Sequence, residues 1–552
     1  PFEALLHGRL PSGDRFRTPR RSRQPLPPGT KKPQERAGLD LTFSAPKSVS
    51  LLALVYGDAQ LEKAHRIAVE KMLAIVERRY AQTRIRFGSQ NRDRRAVKTS
   101  NLVVGQFHHD TSRDLDPHLH THCVLLNMTQ AQNGRWYSLR NDRIYKHRKL
   151  LGQVYQNELA RQVQRLGYRI EAKAHGQFEI AGFTRGQLEQ VSKRRRQICR
   201  QLSEDSTWSE RETVWKTTRA RKGDPIPRRE LQDVWSHELK ALGIRWPQRE
   251  ARSLSEPNRE EELRQAIADG IEHCSERDVA FPTEKIEQFV LAEVGKFALS
   301  EVERAIAESD ELIYLDEQVT TETAVRRELA TIRLMKQGQG EVEAIADEAA
   351  LSPSEDLTEG QQQAIALAVT TTDRAIAWQG VAGSGKTRAL AEVKAIAESQ
   401  GYVVRGFAPS AEAAKGLGEA VGILSATVAS LLFSPVPEPP IANQIWAIDE
   451  AGLLSAKDGL ALLQRAEREG ARTIWVGDTR QLSAVEAGNP FRSLQQAGMP
   501  TAYLDESRRQ KTPELQRAVG LIVRGRIRDG IDQLQQAGCI EIEVDEARRQ
   551  AR

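Results

Sequence analysis

Cysteine is scarce in this chain, and so are long apolar runs. Four cysteines, Cys123, Cys199, Cys274 and Cys539, are spread over 552 residues without a CxxC pair. This spacing argues against a disulfide framework and against a cysteine-based zinc site. No apolar run approaches the roughly 20 residues that a membrane-spanning helix needs, and the opening "PFEALLHGRLP" has no signal-peptide pattern. We therefore expect a cytoplasmic protein with reduced thiols.

The composition is that of an ordinary globular protein. Hydrophobic residues make up 39% and charged residues 28% of the chain. Lys and Arg number 81 against 75 Asp and Glu, so the net charge of +6 permits a polyanionic partner without requiring one. The length favours two or more domains.

The hydrophobic pattern changes along the chain. After a Pro- and Arg-rich start, "GLDLTFSAPKSVSLLALVYG" predicts a strand, a turn and a helix, and residues 61–80 carry the three-to-four spacing of an amphipathic helix. "NLVVGQFHH" and "HLHTHCVLLNMT" read as two strands joined by a polar turn. These elements predict an α+β domain. From residue 357, short apolar strands alternate with helical stretches, which is typical of a parallel α/β sheet.

The stretch "GVAGSGKT" at residues 380–387 fits the phosphate-loop pattern, between a predicted strand and a predicted helix. Its glycines let backbone amides approach phosphates, Lys386 neutralises the β- and γ-oxygens, and Thr387 can hold Mg²⁺. The candidate nucleotide-binding residues in this loop are Gly380, Gly383, Ser384, Gly385, Lys386 and Thr387. We expect ATP and Mg²⁺ as ligands.

Three further segments support an ATP site. "WAIDEAG" ends a strand with Asp449, suited to the metal shell, and Glu450, suited to orienting or deprotonating water. "VGDTRQL" places Asp478 and Gln481 where a γ-phosphate sensor belongs, and Gln361 precedes the first strand.

Together these segments resemble the Q motif and motifs I, Ia, II and III of a superfamily 1 helicase of the RecD-like branch. The resemblance implies that Gln361 reads adenine and that "APSAEAAKGL" touches single-stranded DNA. "LDESRRQ" resembles motif IV, with Arg509 as the γ-phosphate arginine and Arg508 as the reserve. No motif V or VI follows residue 510, so we expect this stretch alone to bind ATP poorly or without productive unwinding.

Histidines alternate in "DPHLHTHCVLLN", so His118, His120 and His122 project from one face of a strand. His109 ends the preceding strand, and a hairpin can bring it alongside them. Two histidines from one strand and one from its neighbour make a three-nitrogen metal site with open positions. A solvated histidine face and a structural zinc site are the alternatives.

"GLDLTFSAPKSVSLL" followed by "HHDTSRDLDPHLHTHCVLLN" resembles the relaxase domain of TrwC/TraI-like (MobF) conjugative relaxases, members of the HUH endonuclease group. That family joins a relaxase to a superfamily 1 helicase, the order found here. The resemblance implies His109, His120 and His122 as ligands of Mg²⁺ or Mn²⁺, His118 as a bystander, and Asp40 as the acidic residue that bonds a ligand histidine. The ion would act as a Lewis acid on the scissile phosphate.

The family's nucleophile is a tyrosine near the N-terminus, upstream of "GLDLTFSAPKSVS". The first tyrosine here is Tyr56, on the wrong side of that motif. We therefore expect a fragment that is incomplete for both activities.

The predicted fold is an α+β relaxase domain, an antiparallel sheet palm with helices, followed by an α/β P-loop (RecA-like) domain. The predicted boundaries are a basic arm at 1–36, the relaxase domain at 37–205, a charged helical connection at 206–350, the ATP-binding lobe at 351–512 and the start of a second lobe at 513–552. Thr320 and Thr321 lie in a lead-in to the helicase.

The predicted function is site- and strand-specific nicking of plasmid DNA at a transfer origin, coupled to ATP-driven 5′ to 3′ unwinding. Implied partners are single-stranded DNA, the transfer-origin hairpin, the type IV secretion coupling machinery and accessory DNA-binding proteins. Basic segments would contact phosphates with a steep salt dependence. The alternatives are a RecD-like repair helicase with a structural histidine cluster, and a non-catalytic DNA-binding fragment.

Overall fold

A computed structural model of the chain describes residues 4–5, 37–87, 93–192, 227–250, 258–347, 356–381, 383–439, 441–481, 484, 486–506, 512–523 and 525–540. Apart from residues 4 and 5, the predicted basic arm lies outside these residues, and so do Arg508 and Arg509. The chain forms two compact units. The first comprises Pro1–Gly270 and Thr283–Ser309, and the second comprises Ile271–Pro282 and Asp310–Arg552.

The first unit contains mixed strands and helices. Its strands are β1 (Gly38–Ser44), β2 (Gln82–Phe87), β3 (Asp93–Lys98), β4 (Val104–Thr111), β5 (Pro117–Leu126), β6 (Thr129–Gln130), β7 (Trp136–Tyr137), β8 (Ile170–Lys173) and β9 (Gln177–Ile180). The helices up to residue 309 are α1 (Lys47–Leu51), α2 (Ala59–Tyr80), α3 (Asp142–Lys146), α4 (Arg148–Arg165), α5 (Arg185–Gln190), α6 (Arg228–Ala241), α7 (Arg259–Ser275), α8 (Thr283–Val290) and α9 (Leu299–Ala307).

The central sheet of this unit is antiparallel, in the order β1-β5-β4. Along β5 the odd-numbered residues are buried and the even-numbered ones are partly exposed up to Val124. Leu119 and Cys123 share one hydrophobic core with residues of α2 and α4. Helices therefore cover one face of the sheet and leave the other open, as the alternation of the sequence predicts.

Helix α2 forms where the periodic pattern predicts it. Asp58 caps its N-terminus by accepting from the Gln60 amide, and the apolar stripe is buried at Leu61, Ala68 and Met72. A fully buried Leu or Met side chain such as Leu61 or Met72 stabilises the fold by roughly 1.5–3 kcal/mol. The helix thus forms one side of the hydrophobic core that packs against β5.

Helices α8 and α9 pack within this first unit. Arg79, near the end of α2, donates to both carboxylate oxygens of Glu287 in α8 at 2.7 and 2.9 Å. Asn157 in α4 is buried and clasps the α8–α9 loop, donating to the Phe297 carbonyl and accepting from the Gly295 amide, both at 2.7 Å. The polar backbone of that loop is therefore satisfied by the core of the first unit.

The second unit contains the parallel sheet. Its strands are β10 (Ala280–Phe281), β11 (Leu312–Leu315), β12 (Gln318–Thr321), β13 (Ala375–Gly380), β14 (Val403–Ala408), β15 (Leu424–Thr427), β16 (Gln444–Ile448), β17 (Arg472–Gly477) and β18 (Thr501–Leu504). Its helices are α10 (Glu322–Gln337), α11 (Glu359–Thr370), α12 (Lys386–Ser399), α13 (Ala411–Val421), α14 (Val428–Phe433), α15 (Ala456–Arg468), α16 (Pro490–Gln496), α17 (Pro513–Val523) and α18 (Ile527–Gln536).

Six strands form one parallel sheet in the order β15-β14-β16-β17-β13-β18. Separate hydrophobic cores lie on its two faces, one containing Trp378 and the other Trp446 and Trp475, all fully buried. The expected α/β P-loop fold is confirmed. Because parallel strands end at one edge, the segments after β13, β16 and β17 meet there.

Within the described residues, the helices all fall short of the length or the apolar character that crossing a membrane demands.

Candidate functional site

The histidines lie on the open face of the antiparallel sheet. His109 of β4 pairs directly with His120 of β5, and Phe107 pairs with His122. Asp40 of β1 stands opposite Val124, so its side chain shares the face of the even-numbered β5 residues. The register therefore brings His109, His120, His122 and Asp40 together, as the sequence predicts.

Hydrogen bonds orient two of the rings. Nδ1 of His122 lies 2.8 Å from Oδ2 of Asp40, and Nδ1 of His120 lies 2.9 Å from the carbonyl oxygen of His118. Both partners only accept, so each Nδ1 carries a hydrogen, and Nε2 is the nitrogen of each ring that can bind a metal. Burial lowers the pKa of His120, which further favours its neutral, ligating form. Metal-ligating histidines are typically oriented by such bonds.

The spacing of the rings fits a common ligand. Ring centroids lie 5.2 Å apart for His109 and His120, and 5.4 Å for each pair involving His122. Metal–nitrogen bonds of about 2.1 Å in tetrahedral directions place imidazole centroids roughly 5 Å apart. The ring planes of His109 and His120 differ by only 23°. In the part of the chain that the structure describes, no three acidic, His or Cys side chains already converge on one metal position. The donor set is nevertheless one that suits a divalent ion.

A buried hydrogen-bonded chain lies beneath this face, and sequence reasoning missed it. Thr121, between the two candidate ligands of β5, points to the covered face, where its hydroxyl lies 2.7 Å from Nε2 of His65 and 2.8 Å from Nδ1 of His108. Nδ1 of His65 lies 2.8 Å from the Tyr155 hydroxyl. Burial lowers the pKa of His65 to about 3. A lone histidine in an amphipathic helix gives no sequence signal of this contact.

The phosphate loop follows β13 at the carboxyl edge of the parallel sheet. Gly383 and Gly385 have φ of 78° and 77°, a conformation that favours glycine. Nζ of Lys386, the first residue of α12, donates to the Gly380 carbonyl at 2.7 Å. Ser384 is buried, and its hydroxyl is without a partner among the described residues. The loop thus frames an anion site at a helix N-terminus, with Thr387 exposed on its first turn.

The two acidic residues after β16 lie at the same edge. Burial raises the pKa of Asp449, although the Glu450 amide bonds its carboxylate at 2.9 Å. Burial, and then the charge of Asp449, raise the pKa of Glu450. Glu450 has φ 50°, an uncommon conformation for a residue other than glycine, which is characteristic of functional turns. The pair can hold a metal and accept a proton.

The loop after β17 is built around Asp478. Its Oδ1 accepts from the Arg480 amide at 3.0 Å and from Nε2 of Gln379 at 2.8 Å, and its Oδ2 accepts from Nε2 of Gln481 at 3.3 Å. Gln481 is exposed, so its side chain is available to a ligand at this edge. Gln379, the residue before the phosphate loop, was not singled out by the sequence.

Gln361 lies in the first turn of α11 and is buried. Its Oε1 accepts from the Thr358 amide at 3.0 Å, completing a capping box, and its Nε2 donates to the Ser384 carbonyl at 2.9 Å. The side chain that the resemblance assigns to adenine thus also supports the phosphate loop. Thr320 and Thr321 have structural bonds, to the Val279 carbonyl at 2.6 Å and to the Ala324 amide at 3.1 Å.

Comparison with known proteins matches both units. A family model described as TrwC relaxase matches residues 1–280, and one described as an AAA domain matches residues 356–545. The multifunctional conjugation protein TraI of Escherichia coli is 30% identical over 541 residues, covering 91% of this chain and 29% of that protein. The ATP-dependent RecD2 DNA helicase of Deinococcus radiodurans is 36% identical over 170 residues, covering 29% of this chain and 24% of that protein.

Among solved structures, a metal-free conjugative relaxase TrwC in complex with oriT DNA is 41% identical with a TM-score of 0.40, covering 44% of this chain and 84% of that chain. A copper-bound structure of the same kind of complex has a TM-score of 0.39, covering 44% and 81%. The chain spans less than a third of the length of the curated TraI relatives.

Proposed function

Because the chain belongs to the TrwC relaxase family, we propose that it is a conjugative DNA relaxase–helicase. Within the complete protein, its first unit would take part in the metal-assisted nicking of one strand of plasmid DNA at a transfer origin, and its second unit in ATP-driven unwinding; this chain alone would be incomplete for both. The observation that carries the proposal is the strand register that sets His109 opposite His120 and bonds Asp40 to His122. The same chain carries a phosphate loop with Asp449 and Glu450.

His109, His120 and His122 would hold the divalent ion of the nicking centre. When bound, such an ion withdraws charge from the scissile phosphate and stabilises its transition state. Asp40 and the His118 carbonyl hold Nδ1 of two rings, so that each presents Nε2 to the open face. The working ion would be Mg²⁺ or Mn²⁺, as the resemblance implies, and Mn²⁺ serves as the probe of the site.

The open face of the sheet would receive single-stranded DNA next to the origin hairpin. The nucleophile of the family is a tyrosine N-terminal to the position of β1, so transesterification requires that segment. The described residues would position the scissile phosphate, and the tyrosine of that segment would attack it.

At the second site, Lys386 and Thr387 would bind the phosphates and Mg²⁺ of ATP, with Asp449 in the metal shell. The raised pKa of Glu450 brings it closer to the range of a general base for water. Gln481 would contact the γ-phosphate, and Arg509 would do so from outside the described residues. We also propose a cytoplasmic location. The proposed protein partners are the type IV secretion coupling machinery and accessory DNA-binding proteins.

The metal assignment is tested by titrating Mn²⁺ into the chain. We expect His120→Ala and His122→Ala each to abolish the high-affinity site. His118→Ala is the matched control, because it removes a neighbouring ring and keeps the carbonyl that orients His120. Unchanged Mn²⁺ affinity in both ligand variants would reduce the cluster to a structural or solvated feature and favour a repair helicase.

The nicking activity is tested with the full open reading frame and a labelled transfer-origin oligonucleotide. We expect metal-dependent cleavage at one position, leaving a covalent protein–DNA adduct, and loss of cleavage in His120→Ala. ATP hydrolysis stimulated by single-stranded DNA is measured alongside, with Lys386→Ala as the negative control. Binding of DNA without either reaction in the complete protein would favour the non-catalytic alternative.

A further inference from the structure

Gln379 joins the phosphate loop to the Asp478 loop with both ends of its side chain. Its Nε2 donates to Oδ1 of Asp478 at 2.8 Å, and its Oε1 accepts from the Thr479 amide at 3.1 Å. Gln379 and Asp478 are 4% and 8% exposed, so water does not compete for these bonds. We call this pair of bonds the Gln379 clasp.

The clasp sits between two functional segments. Gln379 precedes Gly380, whose carbonyl accepts from Lys386, and it is the ladder partner of Gly477 in β17. Its side chain therefore bonds Asp478 and Thr479, the two residues that follow its ladder partner Gly477. A shift of the phosphate loop at Gly380 would be transmitted directly to Asp478 and Thr479.

Asp478 passes this constraint on to Gln481. The carboxylate that receives the Gln379 amide on Oδ1 receives the Gln481 side chain on Oδ2 at 3.3 Å. Arg492 holds the other side of the loop by donating to the Thr479 carbonyl at 3.0 Å. Without the clasp, Asp478 keeps the hydrogen bonds within its own loop. None of these bonds fixes the position of its carboxylate relative to β13.

We propose that Gln379 is a positioning residue, through which the phosphate-binding strand sets the place of Gln481 for ATP hydrolysis. The inference rests on the proposed ATPase function of this unit. The side chain of Gln379 is buried and bonded to Asp478 and Thr479, so it would not itself contact the nucleotide or the reacting water. It acts by fixing the carboxylate that aims Gln481, so its loss should affect turnover more than nucleotide binding.

The kinetic test uses the full 552-residue chain and single-stranded DNA. For Gln379→Ala we expect kcat for ATP to fall about 10- to 100-fold, as small misplacements do, while KM changes less than about threefold. Gln444→Ala is the matched control. Gln444 is a similarly buried glutamine of the same sheet. It is the first residue of β16, at the edge away from the phosphate loop, and it donates to the Ile441 carbonyl. We expect it to lower stability and to leave kcat unchanged.

A rescue experiment separates positioning from general loss of packing. Gln379→Glu keeps the acceptor for Thr479 but sets a carboxylate against Asp478, and we expect a kcat no higher than that of Gln379→Ala. Adding Asp478→Asn restores a donor–acceptor pair of reversed polarity. We expect a several-fold recovery of kcat over Gln379→Glu, which stays partial because the Arg480 amide shares Oδ1 of Asp478.

Amide hydrogen exchange at Thr479 and Arg480 provides a readout besides activity. We expect Mg²⁺ and AMP-PNP to change exchange at both amides in the wild-type chain and to have no such effect in Gln379→Ala. If this chain hydrolyses no ATP by itself, the exchange result decides the clasp, and lack of ATP hydrolysis by the complete protein would overturn the helicase function. Equal kcat in Gln379→Ala and Gln444→Ala, or the same nucleotide response with and without Gln379, would overturn the inference.

Discussion

The antiparallel sheet of the first unit and the parallel sheet of the second place functional side chains by different rules. In the first, helices cover one face only, so every second residue of β5 stands on an open surface. In the second, both faces are covered, and β16 and β17 are buried throughout. Polar functional groups there can stand only beyond the carboxyl ends of the strands. A strand residue can therefore face a ligand directly in the first unit, whereas a buried strand residue of the second unit, such as Gln379, can act only through the loops that follow the strands.

Truncation of a strand tryptophan should break this contrast most visibly. Trp475 in β17 is fully buried among the residues of one hydrophobic core. We expect Trp475→Ala to destabilise the second unit by about 3–5 kcal/mol, since it leaves a large cavity. His122→Ala in β5 should cost less than about 1 kcal/mol, because its ring lies on the open face. Urea unfolding followed by far-UV circular dichroism measures both.

Phe433→Ala is the control for loss of an aromatic side chain in the second unit. Phe433 is 92% exposed, so its removal should leave the free energy of unfolding unchanged. Equal losses of stability in Trp475→Ala and His122→Ala would contradict the distinction between the two sheets.

The next largest effect concerns a loop residue of the parallel sheet. We expect Lys386→Ala to reduce kcat for ATP about 10²- to 10³-fold, the usual consequence of removing a charge that stabilises a transition state. Its stability should change little, because Lys386 contacts only carbonyls of its own loop in the bonds described. Steady-state ATPase assays with single-stranded DNA test this.

Lys394→Ala is the matched control on the same helix. Lys394 lies two turns further along α12 and faces Glu398 at 3.7 Å, away from the loop. A similar fall in kcat for both variants would indicate damage to α12 rather than loss of a phosphate ligand.

The same distinction explains what the sequence could predict. Alternation in "HLHTH" and the hairpin geometry predict the shared face of His109, His120 and His122, because strand periodicity is local. The phosphate loop is equally local, since its glycines and Lys386 are contiguous. Both predictions depend on a few neighbouring residues and on secondary structure that the pattern itself encodes.

Contacts between distant residues were beyond sequence reasoning. The Gln379 clasp joins residues about a hundred positions apart, and the His65–Thr121 bond joins α2 to β5. The sequence around a buried glutamine in an apolar strand, or around a histidine in a periodic helix, does not indicate which residue it will bond. The capping role of Gln361 was missed for a related reason, because a resemblance assigns a ligand but not a local hydrogen bond.

Acid should weaken the support beneath the histidine face. The pKa of His65 is lowered to about 3 in the fold, against about 6.5 when unfolded. Between these values the unfolded chain binds the proton and the folded chain does not, so stability is full above pH 6.5 and falls as the pH is lowered. At pH 4.5 this group alone should remove roughly 2–3 kcal/mol from the free energy of unfolding.

Urea unfolding of the first unit at pH 7 and at pH 4.5 measures this loss. His65→Asn is the comparison, because asparagine keeps polar atoms in the site and does not titrate. Its dependence on pH in this range should be flatter than that of the wild type. Parallel pH profiles for the two proteins would mean that His65 is protonated in the fold without penalty.

Substitution of Asp40 on the open face should have the smallest effect. Asp40 bonds Nδ1 of His122 at 2.8 Å, and replacing its carboxylate with an amide keeps the acceptor but removes the charge. We expect Asp40→Asn to weaken Mn²⁺ binding about 10- to 100-fold, the usual range for a residue that orients a metal ligand. The free energy of unfolding should stay within about 1 kcal/mol, since Asp40 is half-exposed. Glu171→Gln, an exposed carboxylate of the same unit, should change neither quantity. Loss of stability without loss of Mn²⁺ affinity in Asp40→Asn would place Asp40 among the residues that serve the fold, and the open face would then follow the same rule as the parallel strands.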